Sequence, residues 1–283
     1  MKAILTHPGS AHKDDFLACC LLIARYGLPV WRRDPEPGDL DDPDIIVVDV
    51  GGEHEPERGN FDHHQFPAEH EPVCSLSLVL QHLGLYEDAR TFCEWLEPTE
   101  WFDSRGPFAT ADWLGIERSV VNRLNSPVDI TLLRRFAQKR ELEAGDPVWE
   151  VMRMVGEDLF MYLRTLRERL DYVAAHARVL EVGEGDETLK VLYMPRTDPM
   201  PDDPSSGLSR YIEQTGAEID GLIYPDRRGP GFGLSRHADN ERLDFTRIAG
   251  EEDVHFAHAR GFVAKTTATD LGRLAELMVR AKV

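Results

Sequence analysis

Residues 59–67 read GNFDHHQFP, a run that places one carboxylate and two imidazoles in adjacent positions. Asp62, His63 and His64 offer oxygen and nitrogen atoms that bind metal ions or transfer protons in many catalytic sites. Asp, His and Gly are also ordinary loop residues, so a DHH tripeptide alone identifies nothing. Its meaning depends on whether other stretches bring donors to the same place.

Three other stretches carry such donors. THPGSAHKDD (6–15) follows a short apolar run and supplies His7, His12 and Asp14. The histidines are five residues apart, which would place them on different faces of a helix, so they belong to a loop that enters a helix. Either Asp14 or Asp15 alone could be a helix N-cap.

Asp49 and Asp103 complete the set of donors. Asp49 ends the apolar run PDIIVVDVGG (43–52), whose two glycines allow a tight turn, and Asp103 lies in EWFDSRG (100–106), which we place after a helical segment. In open α/β sheets ligands bind at the carboxyl ends of the strands. We therefore expect these residues to converge at one edge of a sheet.

The donor chemistry indicates a metal site. Imidazoles mixed with several carboxylates, without a thiolate, suit Mn, Fe or Mg better than a structural zinc. There are more carboxylates than one ion needs. Two divalent ions about 3.5–4 Å apart, bridged by a carboxylate, would polarise a phosphoryl group and generate a hydroxide nucleophile.

The ordered set resembles the DHH phosphoesterase superfamily, and within it the melanocyte-proliferating-gene family of metal-dependent hydrolases. The matching stretches are THPGSAHKDDFLAC, DIIVVDVGGEHEPERGNFDHHQ and, near the C-terminal end, FAHARGFVAKT. The resemblance implies a two-domain fold with a dinuclear site, most often Mn, on the N-terminal domain. The ligands that it implies are His7, His12, Asp14, Asp49, His63 and Asp103.

The resemblance also implies roles for individual residues. Asp49 would bridge the ions, His64 would face the substrate phosphate, and Asp62 would orient the histidine pair. The sequence departs from the family at Lys13, where a small or thiol residue is usual, at Ser-Arg-Gly after Asp103, and in GFVAK, which lacks a second glycine pair. The ligand set is intact, whereas the substrate contacts are altered.

The last matching stretch predicts a substrate-binding loop. It places His255, His258, Arg260 and Lys265 around Gly261. By the resemblance this loop closes over the metals and holds substrate phosphate, for which the planar guanidinium of arginine is well suited. The alternative is a strand and turn with a salt bridge between domains.

The hydrophobic pattern predicts an α/β fold. Continuous apolar runs at 2–6 and 43–50 are typical of buried parallel strands, and alternation at 177–184 and 188–195 predicts a hairpin. We expect a metal-binding DHH-type α/β domain with a parallel sheet (1–140), a connecting helix (141–176) and a smaller C-terminal α+β domain that binds substrate (177–283).

Composition limits the partners. The 283 residues carry a formal net charge of −19, so a nucleic acid must be held by local basic residues or by bound cations. The longest apolar run, FLACCLLIA, is too short to span a bilayer, and the four cysteines form no C-x-x-C pair. We expect a cytoplasmic protein with no targeting segment and no membrane partner, for which a homodimer is possible.

Three functions fit the sequence. The favoured one is a manganese-dependent phosphodiesterase, with Mg or Fe as possible metals, that acts as an exonuclease on RNA or short single-stranded oligonucleotides. The second is a hydrolase of small phosphate anhydrides or nucleotides, which the acidic charge favours. The third is a metal-binding scaffold protein without catalytic activity.

Overall fold

The structure of the chain is a computed structural model that describes residues 1–123, 126–185 and 188–283. The chain divides into two compact units, Met1–Thr165 and Leu166–Val283. The boundary falls inside one long helix. The division into two compact units does not test the predicted role of residues 141–176 as a connector between domains. That domain division therefore stays a prediction.

The first unit is built on a six-stranded sheet in the order β4-β5-β3-β1-β2-β6. Its strands are β1 (Ala3–Thr6), β2 (Val30–Arg32), β3 (Ile45–Val48), β4 (His54–Glu55), β5 (Asn60–Phe61) and β6 (Glu141–Leu142). The four central strands, β5, β3, β1 and β2, are parallel, and the two edge strands are antiparallel. All residues of β1 and β3 are buried, which is why both read as continuous apolar runs.

The α-helices that begin in this unit are α1 (Lys13–Tyr26), α2 (Ser75–His82), α3 (Tyr86–Phe92), α4 (Leu96–Leu114), α5 (Arg118–Arg123), α6 (Pro127–Ala137) and α7 (Pro147–His176). Helices α1 and α2 contact the sheet, and the last helix, α7, continues into the second unit. The expectation that Asp103 follows a helical segment is wrong, because Asp103 lies inside α4. The break comes later, at Gly106 (φ 76°, ψ 172°), which precedes Pro107 and kinks the helix.

The second unit contains a six-stranded mixed sheet in the order β11-β12-β10-β9-β8-β7. Its elements are β7 (Arg178–Val182), β8 (Leu189–Tyr193), α8 (Leu208–Thr215), β9 (Gly221–Pro225), β10 (Phe232–Arg236), β11 (Val254–Ala257), β12 (Val263–Thr266) and α9 (Leu271–Arg280). The predicted hairpin is confirmed as the antiparallel pair β7 and β8. The α/β class, with a mostly parallel first sheet and a mixed second one, is also confirmed.

The helices show no membrane-spanning character. Among the described residues, none combines the length and the apolarity that crossing a bilayer requires.

Helix α7 packs against α1 through Gly156. A Cβ atom at Gly156 would lie 2.1 Å from the Cys20 carbonyl oxygen and 2.8 Å from the Ala24 Cβ. The contact is made by backbone, which cannot move aside as a flexible side chain would. The glycine is therefore required for the close approach of these two helices.

We expect Gly156→Ala to lower the free energy of unfolding by about 1–3 kcal/mol, because overpacking displaces α7 from α1. Met154→Ala on the same helix is the matched control, since Met154 is 54% exposed. Urea denaturation of both variants measures the difference. Equal stability of the two would show that the helices separate without cost.

Candidate metal centre

Strand register brings three of the predicted residues to one level of the sheet. Thr6 of β1 pairs with Val48 of β3, and Val48 pairs with Phe61 of β5. The residues that follow these three are His7, Asp49 and Asp62. Because the strands are parallel, all three side chains emerge at the carboxyl ends, where ligands bind in such sheets.

Asp49 has an unusual backbone conformation for a residue with a side chain. Its φ angle is +58°, and its N–H donates to the Phe61 carbonyl over 3.1 Å. Ser75 at the start of α2 donates its hydroxyl to Asp49 Oδ1 over 2.9 Å. Conformations of this kind cost about 1–3 kcal/mol and concentrate at functional sites. The surrounding contacts hold this carboxylate in a fixed position.

The start of α1 supplies the next carboxylates. His12, not an aspartate, is the N-cap residue, so the expectation that Asp14 or Asp15 caps this helix is wrong. Asp15 Oδ1 instead accepts the His12 backbone N–H over 2.7 Å, as in a capping box, and its Oδ2 lies 3.3 Å from His7 Nε2. Asp14 takes no part in capping the helix, and both of its carboxylate oxygens are buried.

Asp103 of α4 reaches the same place. Its Oδ1 lies 3.2 Å from His12 Nδ1, and its Oδ2 lies 2.8 Å from His63 Nε2. His63 Nε2 is also 3.2 Å from Asp49 Oδ1. The structure thus brings Asp14, Asp49, His63 and Asp103 together at one point, and His7 and His12 each contact a carboxylate of this group, His7 Nε2 lying 3.5 Å from Asp49 Oδ2.

The donor set fits divalent cations. Ligand atoms of Asp14, Asp49, His63 and Asp103 lie within 4.8 Å of one another, and Asp49, His63 and His64 form a second, overlapping group. Within the described chain, both Asp14 oxygens and His7 Nε2 are buried and lack a well-aligned hydrogen bond. Buried polar atoms without partners are costly. Oxygen and imidazole donors with no thiolate are those that Mn, Mg and Fe take.

The ionisation of these groups shows an excess of negative charge. Burial, and then the charges of Asp49 and Asp103, raise the pKa of Asp14 well above its usual range. Burial favours a neutral His63, but the carboxylates of Asp103 and Asp49 outweigh it and raise the pKa of His63 to about 9. Burial likewise opposes ionisation of Asp103, yet His12 and His63 hold the pKa of that carboxyl below its usual range. The raised pKa values of Asp14 and His63 show that this cluster favours added positive charge, which divalent cations would supply.

Asp62 and His64 form a separate pair beside the cluster. Asp62 is buried, and its Oδ1 lies 2.6 Å from His64 Nδ1 while its Oδ2 accepts the Gly52 backbone N–H over 2.6 Å. The His64 side chain is 63% exposed. A surface pocket is lined by residues that include His7, His12, Asp49 and His64. His64 is therefore an oriented imidazole that solvent or a ligand can reach.

Supporting residues were not found from the sequence. Glu100, one helical turn before Asp103, is fully buried and accepts hydrogen bonds from Ser77, Tyr86 and Arg90. These bonds fix the half of α4 that carries Asp103. The one signal in the sequence that could have indicated this role is the position of Glu100, three residues before the predicted ligand Asp103.

Two arginines complete this support. Arg32 is buried and donates to the Gly9 and Phe136 carbonyls, each over 3.1 Å, with its Nη2 3.7 Å from Asp15 Oδ2. Arg105, in the departure Ser-Arg-Gly, donates to the Ala68 and His70 carbonyls. The loop after His64 is thereby tied to α4.

The predicted substrate-binding residues lie together in the second unit, around the turn between β11 and β12. His258 Nδ1 accepts the Arg260 backbone N–H over 3.1 Å, and the His258 ring lies 4.1 Å from the Phe262 ring. Gly261 has φ +71°, and a Cβ there would lie 2.1 Å from Asp244 Oδ1. The close approach of Asp244 is by itself a sufficient reason for a glycine at position 261.

His255 borders a second pocket, in the second unit. The pocket also includes Asp226, Arg228, Phe256 and Lys265. Lys265 Nζ lies 2.8 Å from Asp226 Oδ1, so its charge is already paired.

Sequence comparison supports the resemblance. Residues 3–85 match the MYG1 exonuclease family, described as Uncharacterised protein family (UPF0160). The MYG1 exonuclease of Rattus norvegicus is 49% identical over 67 residues, which cover 21% of this chain and 16% of the rat protein. The human MYG1 exonuclease is 48% identical over 67 residues, with the same coverage. The resemblance found in the sequence is confirmed over this N-terminal segment, which is about a sixth of those relatives' length.

Solved structures show weaker likenesses. The pGpG-specific phosphodiesterase PggH of Vibrio cholerae has a TM-score of 0.33 and 13% identity, over 98% of this chain and 97% of that one. RecJ of Thermus thermophilus in complex with Mn²⁺ has a TM-score of 0.25 and 16% identity, over 99% of this chain and 52% of that one. Scores this low show neither a shared reaction nor a shared substrate.

We expect Asp49→Asn to abolish tight binding of Mn²⁺ at every site of the cluster, because the two oxygens of this carboxylate face different ligands, His63 and His7. Asn also adopts positive φ, so the backbone turn is kept. Titration calorimetry with Mn²⁺ and metal analysis of the purified protein measure the loss, with Asp112→Asn on the exposed part of α4 as control. Unchanged metal content in Asp49→Asn would remove Asp49 from the site.

We expect His63→Ala and His64→Ala to differ. His63 contacts two carboxylates of the cluster, so its loss should reduce metal occupancy, whereas His64 is held by Asp62 and should leave the occupancy unchanged. Metal analysis of the two variants separates these effects. Equal metal loss in both would assign His64 to the ligand set.

Proposed function

We propose that this protein is a metal-dependent phosphodiesterase, and that it acts as an exonuclease on RNA or short oligonucleotides. The observation that supports this most is the buried group of carboxylate and imidazole atoms within 4.8 Å of one another, in which both Asp14 oxygens lack a hydrogen bond. The match of residues 3–85 to the MYG1 exonuclease family supports this reaction class. Scaffolding alone would not require an exposed imidazole beside such a cluster.

The metal ligands that we propose are those named from the sequence. They are His7, His12, Asp14, Asp49, His63 and Asp103. The two oxygens of Asp49 face different ligands, Oδ1 lying 3.2 Å from His63 Nε2 and Oδ2 lying 3.5 Å from His7 Nε2, which supports two ions with Asp49 as the bridge. Mn is the metal we favour, with Mg or Fe as alternatives.

Divalent cations held there would supply Lewis-acid polarisation of a phosphoryl group and a lowered pKa for attacking water. The protein's own residues supply orientation. Asp62 fixes the His64 ring through Nδ1, so Nε2 is the atom free to bond a phosphoryl oxygen. His255, His258, Gly261 and Arg260 are the proposed substrate-binding residues of the second unit.

The net charge favours short substrates. At −19 the chain lacks the overall attraction that binds long polyanions, so affinity must come from the ions and a few side chains. The same charge favours a second candidate, a hydrolase of small phosphate anhydrides or nucleotides. A substrate panel separates the two.

The panel contains pyrophosphate, a mononucleotide, a dinucleotide and single-stranded RNA and DNA pentamers, each with and without added Mn²⁺. We expect release of mononucleotides from the dinucleotide and the pentamers, dependent on Mn²⁺. Hydrolysis of pyrophosphate alone would support the second candidate. If the protein binds metal but hydrolyses no substrate of the panel, the remaining hypothesis is a metal-binding scaffold protein without catalytic activity.

We expect Arg260→Ala to lower kcat/KM at least about tenfold with metal content unchanged, since one charge-assisted bond to phosphate is lost. Arg260→Lys should recover little, because lysine cannot form a two-pronged contact. Steady-state kinetics on the best substrate of the panel measure this. Arg247→Ala, at another exposed arginine of the same unit, is the control. Full activity in Arg260→Ala would leave the turn with a structural role only.

A further inference from the structure

Two serines lie in the buried first part of helix α2. All residues from Ser75 to Leu80 are buried, and this run is apolar apart from Ser75 and Ser77, which are fully buried. A hydroxyl group that is taken out of water costs free energy unless it forms a hydrogen bond. Both hydroxyls form one, and in each case the acceptor is a buried carboxylate.

The first serine bonds directly to the candidate metal centre. The Ser75 hydroxyl donates to Asp49 Oδ1 over 2.9 Å, and the same oxygen lies 3.2 Å from His63 Nε2. Asp49 Oδ2 instead lies 3.5 Å from His7 Nε2. The hydroxyl therefore fixes the rotation of this carboxylate, because it holds Oδ1 on the side of His63 and leaves Oδ2 on the side of His7.

The second serine reaches the centre through helix α4. The Ser77 hydroxyl donates to Glu100 Oε1 over 2.7 Å. Glu100 is fully buried and lies three residues before Asp103, so the two carboxylates are neighbours on one side of α4. Asp103 Oδ2 lies 2.8 Å from His63 Nε2. The bond from Ser77 thus fixes the turn of α4 from which Asp103 projects.

Helix α2 is therefore a common support for two carboxylates of the centre. Asp49 and Asp103 belong to different elements and contact the same atom, His63 Nε2, from two sides. Packing holds α2 in place, since it contacts α1, α3 and β5. Metal affinity depends strongly on the groups that orient the ligands, and the loss of one such group typically costs about 10- to 100-fold.

We propose that α2, through Ser75 and Ser77, sets the spacing of Asp49 and Asp103 and thereby the affinity of the centre for Mn²⁺. The two serines are positioning residues, because neither belongs to the proposed ligand set. This inference rests on the metal centre of the proposed function, and it applies whichever substrate the protein hydrolyses.

Titration calorimetry with Mn²⁺ on Ser75→Ala, Ser77→Ala and the double variant tests the proposal. We expect Ser75→Ala to raise the Kd for Mn²⁺ by about 10- to 100-fold, because a partner of a metal ligand is lost. Ser77→Ala should raise it less, since Tyr86 and Arg90 still donate to Glu100.

The double variant distinguishes one shared support from two local contacts. If both serines act on one spacing, the loss of either already releases it, so the combined rise in Kd should be smaller than the product of the two single rises. Ser119→Ala, at an exposed serine of the same unit, is the control and should keep the wild-type Kd.

Electron paramagnetic resonance gives a readout that a loss of stability alone would not change. Two Mn²⁺ ions that share a carboxylate are spin-coupled, whereas isolated Mn²⁺ ions give a six-line spectrum. With each protein saturated, we expect a coupled spectrum in the wild type and a changed coupling in Ser75→Ala. Urea denaturation of the metal-free proteins checks that the variants are folded. An unchanged coupling would reduce Ser75 to a structural contact.

Wild-type Kd values in both single variants, or rises that multiply in the double variant, would overturn the inference and leave the metal centre in place. Absence of Mn²⁺ binding by the wild-type protein would overturn the centre and the inference together. Weaker Mn²⁺ binding in the serine variants of a protein that hydrolyses no substrate would support the inference and refute the proposed function.

Discussion

The parallel register of β1, β3 and β5 is the constraint on which the candidate site depends. It places His7, Asp49 and Asp62 at one level, each directly after a buried strand residue. Carboxylates concentrated there would repel one another in a buried setting, and burial together with the charges of Asp49 and Asp103 raises the pKa of Asp14. Bound cations would offset this repulsion. The strand register that brings the carboxylates together therefore also creates the need for a metal.

The rest of the first unit holds this arrangement in place. Asp49 adopts positive φ at the strand end, Gly51 and Gly52 carry the chain into its turn, and the Gly52 N–H fixes Asp62. Glu100 secures the half of α4 that carries Asp103. Ligands and supporting residues come from distant parts of the sequence, so the site forms only when the whole unit folds.

Much of this could be predicted from the sequence, because the residues concerned carry local signals. The apolar run that leads to Asp49-Val-Gly-Gly indicates a strand end, and parallel strands bring such ends together. The helix cap at His12 could not be predicted, since histidine is not a preferred N-cap residue and Asp14 and Asp15 are. The position of Asp103 inside α4 was missed because DSRG resembles a turn, while only Gly106 breaks the helix. Arg32, Glu100 and Arg105 act through distant carbonyl and hydroxyl groups, and such partners leave no pattern in a single sequence.

The central claim is that the carboxylates and imidazoles around Asp49 share divalent cations. Anomalous diffraction from crystals of the protein soaked in MnCl₂, recorded near the manganese absorption edge, tests it most directly. The account predicts two manganese peaks, both in contact with Asp49 and enclosed by Asp14, His63, Asp103 and the neighbouring histidines. Absence of any peak at Asp49, in crystals that bind manganese elsewhere, would contradict it.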